Sequence, residues 1–251
     1  MKSEIISFLI KNRIKKINRN LNNPFDSQTE ILNYLIKKAK STKFGLDHKF
    51  NKIYNYTSFK YNIPIRTYEE FYIYIEKCLA NEKDVIWPGH IKWFAKSSGT
   101  TNSKSKYIPI SKDFLYDGYI KAGKDMLSIY ENNFSNKSIY NGKGLMLGGS
   151  LLNKKKYLLG DVSAILLNEF PAWVNYHRIP SLKTALLDNW ELKLNKIIDE
   201  SIDQNITNIT GVPSWMLILL NKILEKSGVK TISEIWPNLE VYFHGGINFS
   251  P

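Results

Sequence analysis

The sequence predicts an α/β fold in which layered mixed sheets are flanked by helices. Short apolar runs that stop at glycine or proline alternate with longer segments whose apolar residues recur at helical spacing. Such alternation is typical of α/β layered folds. With 251 residues, of which 43% are hydrophobic, the chain can bury a large core. Because no repeat or low-complexity linker interrupts the pattern, we expect one domain over residues 1–251.

Four segments carry the helical pattern. Residues 4–21 place apolar side chains near helical spacing among Lys and Arg, which predicts an amphipathic basic helix. We favour packing of its apolar stripe on the domain itself, with an anionic membrane surface as the alternative. Residues 27–30 and 67–70 carry the Ser/Thr-x-x-Glu pattern of a capping box, so we expect a helix to start at each. A fourth helix is expected to start near Ser111.

The predicted strands are short apolar runs bounded by turn residues. Two of these runs enclose a loop rich in Ser, Thr and Gly, which is the main candidate for function. The runs are residues 85–87, 91–94, 107–110, 145–147, 206–210 and 239–243.

The formal net charge of +12 favours anionic partners. The basic residues are spread along the chain, and only residues 11–19 and 154–156 form local clusters. We interpret the charge as a general compositional bias. A basic nucleic-acid-binding protein is the alternative, but no known DNA or RNA reader motif is present. We therefore expect no specific nucleic-acid partner.

Several classes of protein are disfavoured by composition. Cys78 is the only cysteine, so an internal disulfide or a cysteine-rich zinc site is excluded. The four histidines lie far apart in the sequence, and we assign no metal ligand and no catalytic residue. No apolar run approaches the length of about 18 residues that a membrane-spanning helix needs. We expect no transmembrane segment, no secretory signal and a cytoplasmic location.

The loop of residues 97–106 has the chemistry of a phosphate-binding loop. Its small residues let the backbone approach an anion, and glycine permits conformations that other residues avoid. Hydroxyls and backbone amides can donate to phosphate oxygens, and lysine adds charge-assisted contacts. An ordinary polar surface loop is the alternative. The candidate contacts to ATP phosphates are Ser97, Ser98, Gly99, Thr100, Thr101 and Lys106.

Residues 93–109, WFAKSSGTTNSKSKYIP, resemble the first nucleotide motif of the Gretchen Hagen acyl-acid amido synthetases, the auxin-responsive promoter family. That family belongs to the adenylate-forming superfamily of luciferases and acyl-CoA synthetases. Further blocks are similar to the family in the same order, and the last resembles its bacterial branch. These blocks are PIRTYEE (64–70), LGGS (147–150), GDVSA (160–164), TGVPSW (210–215), EIWPNL (234–239) and FHGG (243–246).

The resemblance implies a reaction in which a carboxylic acid and ATP, with Mg²⁺, give an acyl-adenylate and pyrophosphate. An amine or amino acid then forms an amide. The resemblance also places Asp161 and Ser163 near the acid or amine site, although helix capping is the role we favour, and we assign Trp173 and Trp190 to the core. For the turn at residues 211–215, ordinary strand-to-helix architecture is the alternative. The implied substrate and adenylate pocket comprises Val212, Pro213, Trp215, Gly245 and Gly246.

Full members of the family are about twice as long, by the same resemblance. A later Ser-Glu motif for Mg²⁺, an aspartate motif for the ribose and a C-terminal lid domain are missing from residues 1–251. We therefore expect an incomplete N-terminal large domain, truncated after its Gly-Gly turn and not competent for catalysis alone. A gene fragment, a split subunit and a decayed relic are open alternatives. So is a non-catalytic remnant that binds nucleotide or a partner.

Overall fold

The computed structural model describes residues 8, 10–97, 105–134 and 139–245. The chain divides into two compact units. The N-terminal unit comprises residues 13–122 and 152–159, and the C-terminal unit comprises residues 1–12, 123–151 and 160–251. Each unit carries its own four-stranded sheet with helices, so the predicted α/β class is confirmed. The expected single domain stays a prediction.

The N-terminal unit begins with helices and ends with a sheet. Its strands β4 and β5 come from the later part of the chain. Its elements are α1 (Ile14–Asn22), α2 (Pro24–Ala39), α3 (Lys43–Asp47), α4 (Tyr56–Asn62), α5 (Tyr68–Leu79), β1 (Trp93–Lys96), β2 (Tyr107–Ile110), β4 (Leu151–Lys154) and β5 (Tyr157–Gly160).

The sheet of this unit has the strand order β2-β1-β5-β4, with β1 antiparallel to β2. Phe94 of β1 is fully buried and meets Tyr157 of β5 edge-on, with ring centroids 5.0 Å apart. This core forms because β1 and β5 are hydrogen-bonded neighbours and point these aromatic side chains toward α5. Its buried members are Tyr74, Ile75, Cys78, Val85, Ile91, Phe94 and Leu159.

Helix α5 starts where the capping box predicts. The amide of Glu70 donates to the Thr67 hydroxyl over 3.3 Å, and the amide of Thr67 donates to the Glu70 carboxylate over 2.7 Å. Accepting from the amide and the hydroxyl of Thr67 lowers the pKa of the Glu70 carboxyl. The bonds satisfy two of the backbone donors that a helix N-terminus otherwise leaves without partners.

The capping box predicted at residues 27–30 is wrong. Helix α2 begins at Pro24, and Ser27 lies inside it with its amide donating to the carbonyl of Asn23. Proline suits the first helical position because its φ is preset and its missing amide hydrogen is not needed there. The helix therefore has its N-cap at Asn23, four residues earlier than the Ser-x-x-Glu pattern indicates.

The predicted continuous helix at residues 4–21 is interrupted by a turn at Asn12 and Arg13. Ile10, before the turn, is buried with Tyr130 in the C-terminal unit, whereas α1, after it, buries no residue completely. Leu21 on α1 is 70% exposed. The expected packing of an apolar stripe is therefore only partial over the described residues.

Residues 85–87 do not form the predicted strand. Asp84 and Gly89 on either side adopt positive φ angles, which extended strands do not contain. Val85 is nevertheless buried, and its carbonyl accepts a hydrogen bond from the amide of Phe44. The segment is an irregular connection that supplies a core side chain.

The C-terminal unit alternates strands with helices. The helix predicted to start near Ser111 is present: a π-helical stretch at Phe114–Ile120 leads directly into α6. The boundary between the two units falls within α6. The elements are α6 (Lys121–Asn133), β3 (Lys143–Met146), α7 (Val162–Glu169), α8 (Ala172–Tyr176), β6 (Arg178–Ile179), α9 (Leu182–Ala185), α10 (Trp190–Ser201), β7 (Ile206–Thr210), α11 (Pro213–Ser227), α12 (Ile232–Ile235) and β8 (Val241–Phe243).

The sheet of the C-terminal unit has the order β6-β3-β7-β8, and each neighbouring pair is parallel. Helices α10 and α11 pack their apolar faces on it. In α12 a capping box joins Thr231 and Glu234, and the indole of Trp236 donates to the Ser201 carbonyl over 3.1 Å. The buried core comprises Leu145, Leu194, Ile197, Ile198, Ile206, Ile209, Met216, Leu219, Ile223 and Trp236.

Leu219→Ala is expected to lower the free energy of unfolding by about 2–5 kcal/mol, because it leaves a cavity beneath the parallel sheet. Leu219 is fully buried, whereas Leu217 on the same helix is 60% exposed. Leu217→Ala is therefore the matched control, with an expected change within about 0.5 kcal/mol. Urea denaturation followed by circular dichroism measures both, and equal losses would contradict the packing described.

Candidate functional site

The mouth of the predicted phosphate loop lies at the end of the β1–β2 pair in the N-terminal unit. The amide of Ser97 donates to the Lys106 carbonyl over 2.9 Å, and the amide of Lys106 donates to the Ser97 hydroxyl oxygen over 2.9 Å. The two predicted residues therefore face each other across the mouth. Because the Ser97 hydroxyl accepts this bond, its own hydrogen is available for another acceptor. Ser98, Gly99, Thr100 and Thr101 lie outside the described residues.

The Lys106 ammonium lies 3.4 Å from the Glu69 carboxylate and 4.9 Å from the ring centroid of Tyr68. Tyr68 is fixed in turn, because its hydroxyl accepts from the amide of Tyr107 over 2.9 Å. Lys106 lowers the pKa of the Glu69 carboxyl, although Glu69's hydrogen bond to its own backbone is the larger cause. Helix α5 thus positions the cation beside the loop.

A second candidate region is the carboxyl edge of the C-terminal unit's sheet. The chain leaves β3 toward β6 on one side and leaves β7 toward β8 on the other. Between β3 and β7, therefore, the direction of the connections reverses, and ligands of open α/β sheets bind at such a switch point. The turns that emerge there are residues 147–150 and 211–213.

The first of these turns is held by polar groups from α7 and α10. The Lys193 ammonium donates to the carbonyls of Gly148 and Gly149 over 3.1 and 2.8 Å. The amide of Gly149 donates to the Ser163 hydroxyl over 3.1 Å, and the amide of Ser150 to the Asp161 carboxylate over 3.3 Å. A Cβ on Gly149 would stand 1.7 Å from the Asp161 oxygen, so only glycine permits this approach.

The capping role favoured for Asp161 and Ser163 is wrong. Asp161 precedes α7 but makes no side-chain capping bond, and both residues are exposed. Their side chains are turned instead toward the amides of Gly149 and Ser150, where these backbone donors need acceptors. This places both side chains on an accessible surface beside the switch point.

The second turn and the start of α11 carry three of the predicted pocket residues. Val212 is 48% exposed, Pro213 begins α11, and Trp215 is 49% exposed. Trp215 meets Trp190 edge-on at 4.5 Å, and Trp190 is packed against the core beneath. Trp190 thus has the predicted core position. An aromatic side chain half in solvent at the end of a buried strand is available to an apolar ligand.

Gly245 follows β8 and is exposed, with open space where a Cβ would stand. Gly211 connects the second turn to β8, because its amide donates to the Phe243 carbonyl and its carbonyl accepts from the Tyr242 hydroxyl over 3.0 Å. The structure therefore brings the turns at residues 211–213 and 244–245 together. Gly246 lies outside the described residues.

Sequence reasoning missed Lys193. A lysine in an amphipathic helix is usually on the solvated face, but Lys193 is 2% exposed. Its neighbours in the sequence, Leu194, Ile197 and Ile198, are buried as well, and this spacing is the only signal that could have placed it inward.

Other features bear on the site only indirectly. None of the helices among the described residues is long and apolar enough to cross a membrane. Over the same residues, no group of three or more His, Cys, Asp or Glu side chains is placed to hold a metal ion. A surface depression of about 510 Å³ in the N-terminal unit contains none of the predicted site residues; it is lined by Lys40, Ser41, Leu46, Lys49, Asn51 and Lys52.

The described fold is similar to solved acyl acid amido synthetases. One is titled "GH3.15 acyl acid amido synthetase", with a TM-score of 0.67 at 17% identity, covering 86% of this chain and 39% of that one. Another, "AtGH3.15 acyl acid amido synthetase in complex with 2,4-DB", has a TM-score of 0.62 at 18% identity, covering 89% and 38%. The chain thus spans about two fifths of the length of these proteins. No curated protein matches it.

These likenesses show that the chain has the fold of the part of those structures that it covers. The model of the GH3 family N-terminal domain matches residues 13–251. The chain belongs to the GH3 family, as the resemblance of its motifs implied.

Gly149→Ala is expected to lower the free energy of unfolding by about 1–3 kcal/mol, because the new methyl group displaces Asp161 from the amide of Ser150. Gly123→Ala is the control: it lies in α6 with nothing within 4 Å of its Cβ position. Alanine there is expected to raise stability by about 0.5–1 kcal/mol through helix propensity. Thermal denaturation measures both, and a neutral Gly149→Ala would contradict the close approach.

Proposed function

We propose that the chain is the N-terminal portion of an ATP-dependent acyl-acid amido synthetase. Family membership over residues 13–251 carries the proposal, because this span includes the phosphate-loop candidate and the carboxyl ends of β3, β7 and β8. The whole enzyme's activity is part of the proposal, since the chain spans 39% and 38% of the similar structures. The cytoplasmic location and the lack of a specific nucleic-acid partner stay predictions.

The reaction needs no base from this chain for its first step. A carboxylate with a pKa of about 4 to 5 is ionised at neutral pH. Its oxygen attacks the α-phosphorus of ATP, which forms the acyl-adenylate and breaks the bond to pyrophosphate. The nitrogen of an amine or amino acid then attacks the acyl carbon and releases AMP. Alignment and neutralisation of charge supply most of the catalysis of such displacements.

The residues of the loop mouth suit a triphosphate. The Ser97 hydroxyl, which accepts from the Lys106 amide, is able to donate its own hydrogen to a phosphate oxygen. The Lys106 ammonium is held nearby by an ion pair with the largely exposed Glu69 carboxylate. An exposed ion pair of this kind is weak because water and salt screen it. Phosphate can therefore compete for Lys106 at little cost. Mg²⁺ is proposed to bind together with the triphosphate, as it commonly does in nucleotide enzymes.

The carboxyl edge of the C-terminal unit's sheet is proposed to bind the acid. The exposed faces of Val212 and Trp215 offer an apolar wall, and the open space at the Cβ position of Gly245 lets a ligand approach the backbone. A small-molecule carboxylic acid with an apolar body fits this combination. The similar structure with 2,4-DB motivates that compound as a first test acid.

Ser97→Ala and Lys106→Ala are each expected to weaken binding of ATP, in the presence of Mg²⁺, about tenfold. The reason is that each removes one hydrogen bond to a charged phosphate group, worth about 1.5–3 kcal/mol. Isothermal titration calorimetry provides the measurement. Lys154→Ala, at the turn of the β4–β5 hairpin, removes the same charge away from the loop and serves as control. Equal dissociation constants for Lys106→Ala and Lys154→Ala would assign the effect to net charge alone.

Exchange of labelled pyrophosphate into ATP tests the chemistry in the whole enzyme, of which this chain is the proposed N-terminal portion. With a panel of acids that includes 2,4-DB, exchange is expected only when a suitable acid is present, and Ser98→Ala is expected to lower the rate at least tenfold. An exchange rate unaffected by that substitution would refute the loop assignment. ATP binding without exchange by any acid would favour the alternative, a chain that binds nucleotide without turnover.

A further inference from the structure

Lys193 is a buried cation in the middle of α10. Lys193 is 2% exposed, and its ammonium lies against the backbone of the turn that follows β3. Burial lowers the pKa of the ammonium, and the charges of Asp161 and Asp188 oppose that shift. Burying a charge is costly unless it is well hydrogen-bonded. An apolar side chain would fill this helix position at lower cost, so the charge requires a reason.

The hydrogen bonds of Lys193 fix two successive peptide planes. The carbonyls of Gly148 and Gly149 both point to the ammonium. In a planar trans peptide, the amide of the next residue points the opposite way. Accordingly, the amides of Gly149 and Ser150 point to the Ser163 hydroxyl and the Asp161 carboxylate. The ammonium therefore decides which edge of these peptides faces the accessible side.

Besides the Lys193 contact, the amide of Asp161 donates to the Ser150 carbonyl over 3.3 Å, but this bond does not involve the peptides that join residues 148–150. Consecutive glycines have the widest choice of backbone conformations, and their loss of freedom on folding is the largest of any residue. Of the two bonds from the exposed side, the one from the Ser150 amide to Asp161, at 3.3 Å, is longer than usual, and the one from the Gly149 amide goes to a neutral hydroxyl. A buried charge-assisted pair of bonds is stronger than these.

We propose that Lys193 is a positioning residue for the switch-point crevice between β3 and β7. Its ammonium holds the peptides of residues 148–150 with their amide edges toward Ser163 and Asp161, so that one wall of the crevice is formed before a ligand arrives. That the formed wall favours binding of a carboxylic acid with an apolar body rests on the proposed function. The contact by which Lys193 holds residues 148–150, called the clamp below, does not rest on it.

Amide hydrogen exchange, resolved by NMR, tests the clamp without any ligand. Lys193→Met removes the ammonium but keeps an apolar side chain of similar length, and exchange at Gly149 and Ser150 is expected to accelerate at least tenfold. Lys193→Arg, which keeps the charge and the donors, is expected to restore protection in part. Lys196→Met, on the same helix and less buried, is the matched control. A folded Lys193→Met protein with unchanged exchange at both amides would overturn the proposal.

Ser163→Ala keeps the test decisive if Lys193→Met does not fold. This substitution acts from the exposed side and leaves the lysine in place. If the ammonium holds both peptide planes, only the amide of Gly149 loses protection, and the amide of Ser150 keeps it. Loss of protection at both amides would show that the exposed side holds the turn, which refutes the clamp.

Binding of 2,4-DB supplies the second readout. Lys193→Met is expected to raise the dissociation constant of 2,4-DB about tenfold, and Lys193→Arg is expected to recover most of the affinity. Unchanged affinity alongside faster exchange would refute the part of the proposal that links the clamp to the ligand. If the wild-type chain does not bind 2,4-DB, the proposed function fails for that acid, whereas the exchange measurements still decide the clamp.

Discussion

The parallel register of β3, β7 and β8 is the constraint on which the C-terminal unit depends. Because these strands run in the same direction, the turns after Met146, Thr210 and Phe243 leave the sheet at one edge. The same register buries Leu145 and Ile206 completely beneath α10 and α11. A slip of one residue would turn these side chains to the other face of the sheet. The same strand register therefore determines both which side chains enter the core and where the glycine turns lie.

The two units satisfy the backbone hydrogen-bonding groups of their candidate loops in different ways. In the N-terminal unit, the strand ladder continues to Ser97 and Lys106, so the loop's mouth is closed by the backbone itself. In the C-terminal unit, the turn after β3 leaves the ladder, and side chains from two helices take up its donors and acceptors. The second solution requires glycine where the backbone and the carboxylate of Asp161 approach each other. It also requires a buried charge.

Local signals in the sequence predict much of the fold. Strands at residues 107–110 and 206–210 have the expected bounds because turn residues limit them, and the capping box at Thr67 is confirmed because capping involves only neighbouring residues. The β4–β5 hairpin was missed because its turn, at residues 154–156, has the composition of a basic cluster. The contact between Lys193 and Gly148 joins residues distant in sequence, so only the folded sheet places them together.

The path of the chain also affects the order in which the protein can fold. The sheet of the N-terminal unit is completed by residues 152–159, which follow β3 of the other unit. During synthesis, β1 has only β2 as a strand neighbour until β5 leaves the ribosome, and the Leu159 and Tyr157 side chains that cover Phe94 arrive with it. Domains usually fold in the order in which they are made. Here the N-terminal unit is completed only after residues 123–151 of the other unit have been made, so Phe94 lacks its cover from β5 until then.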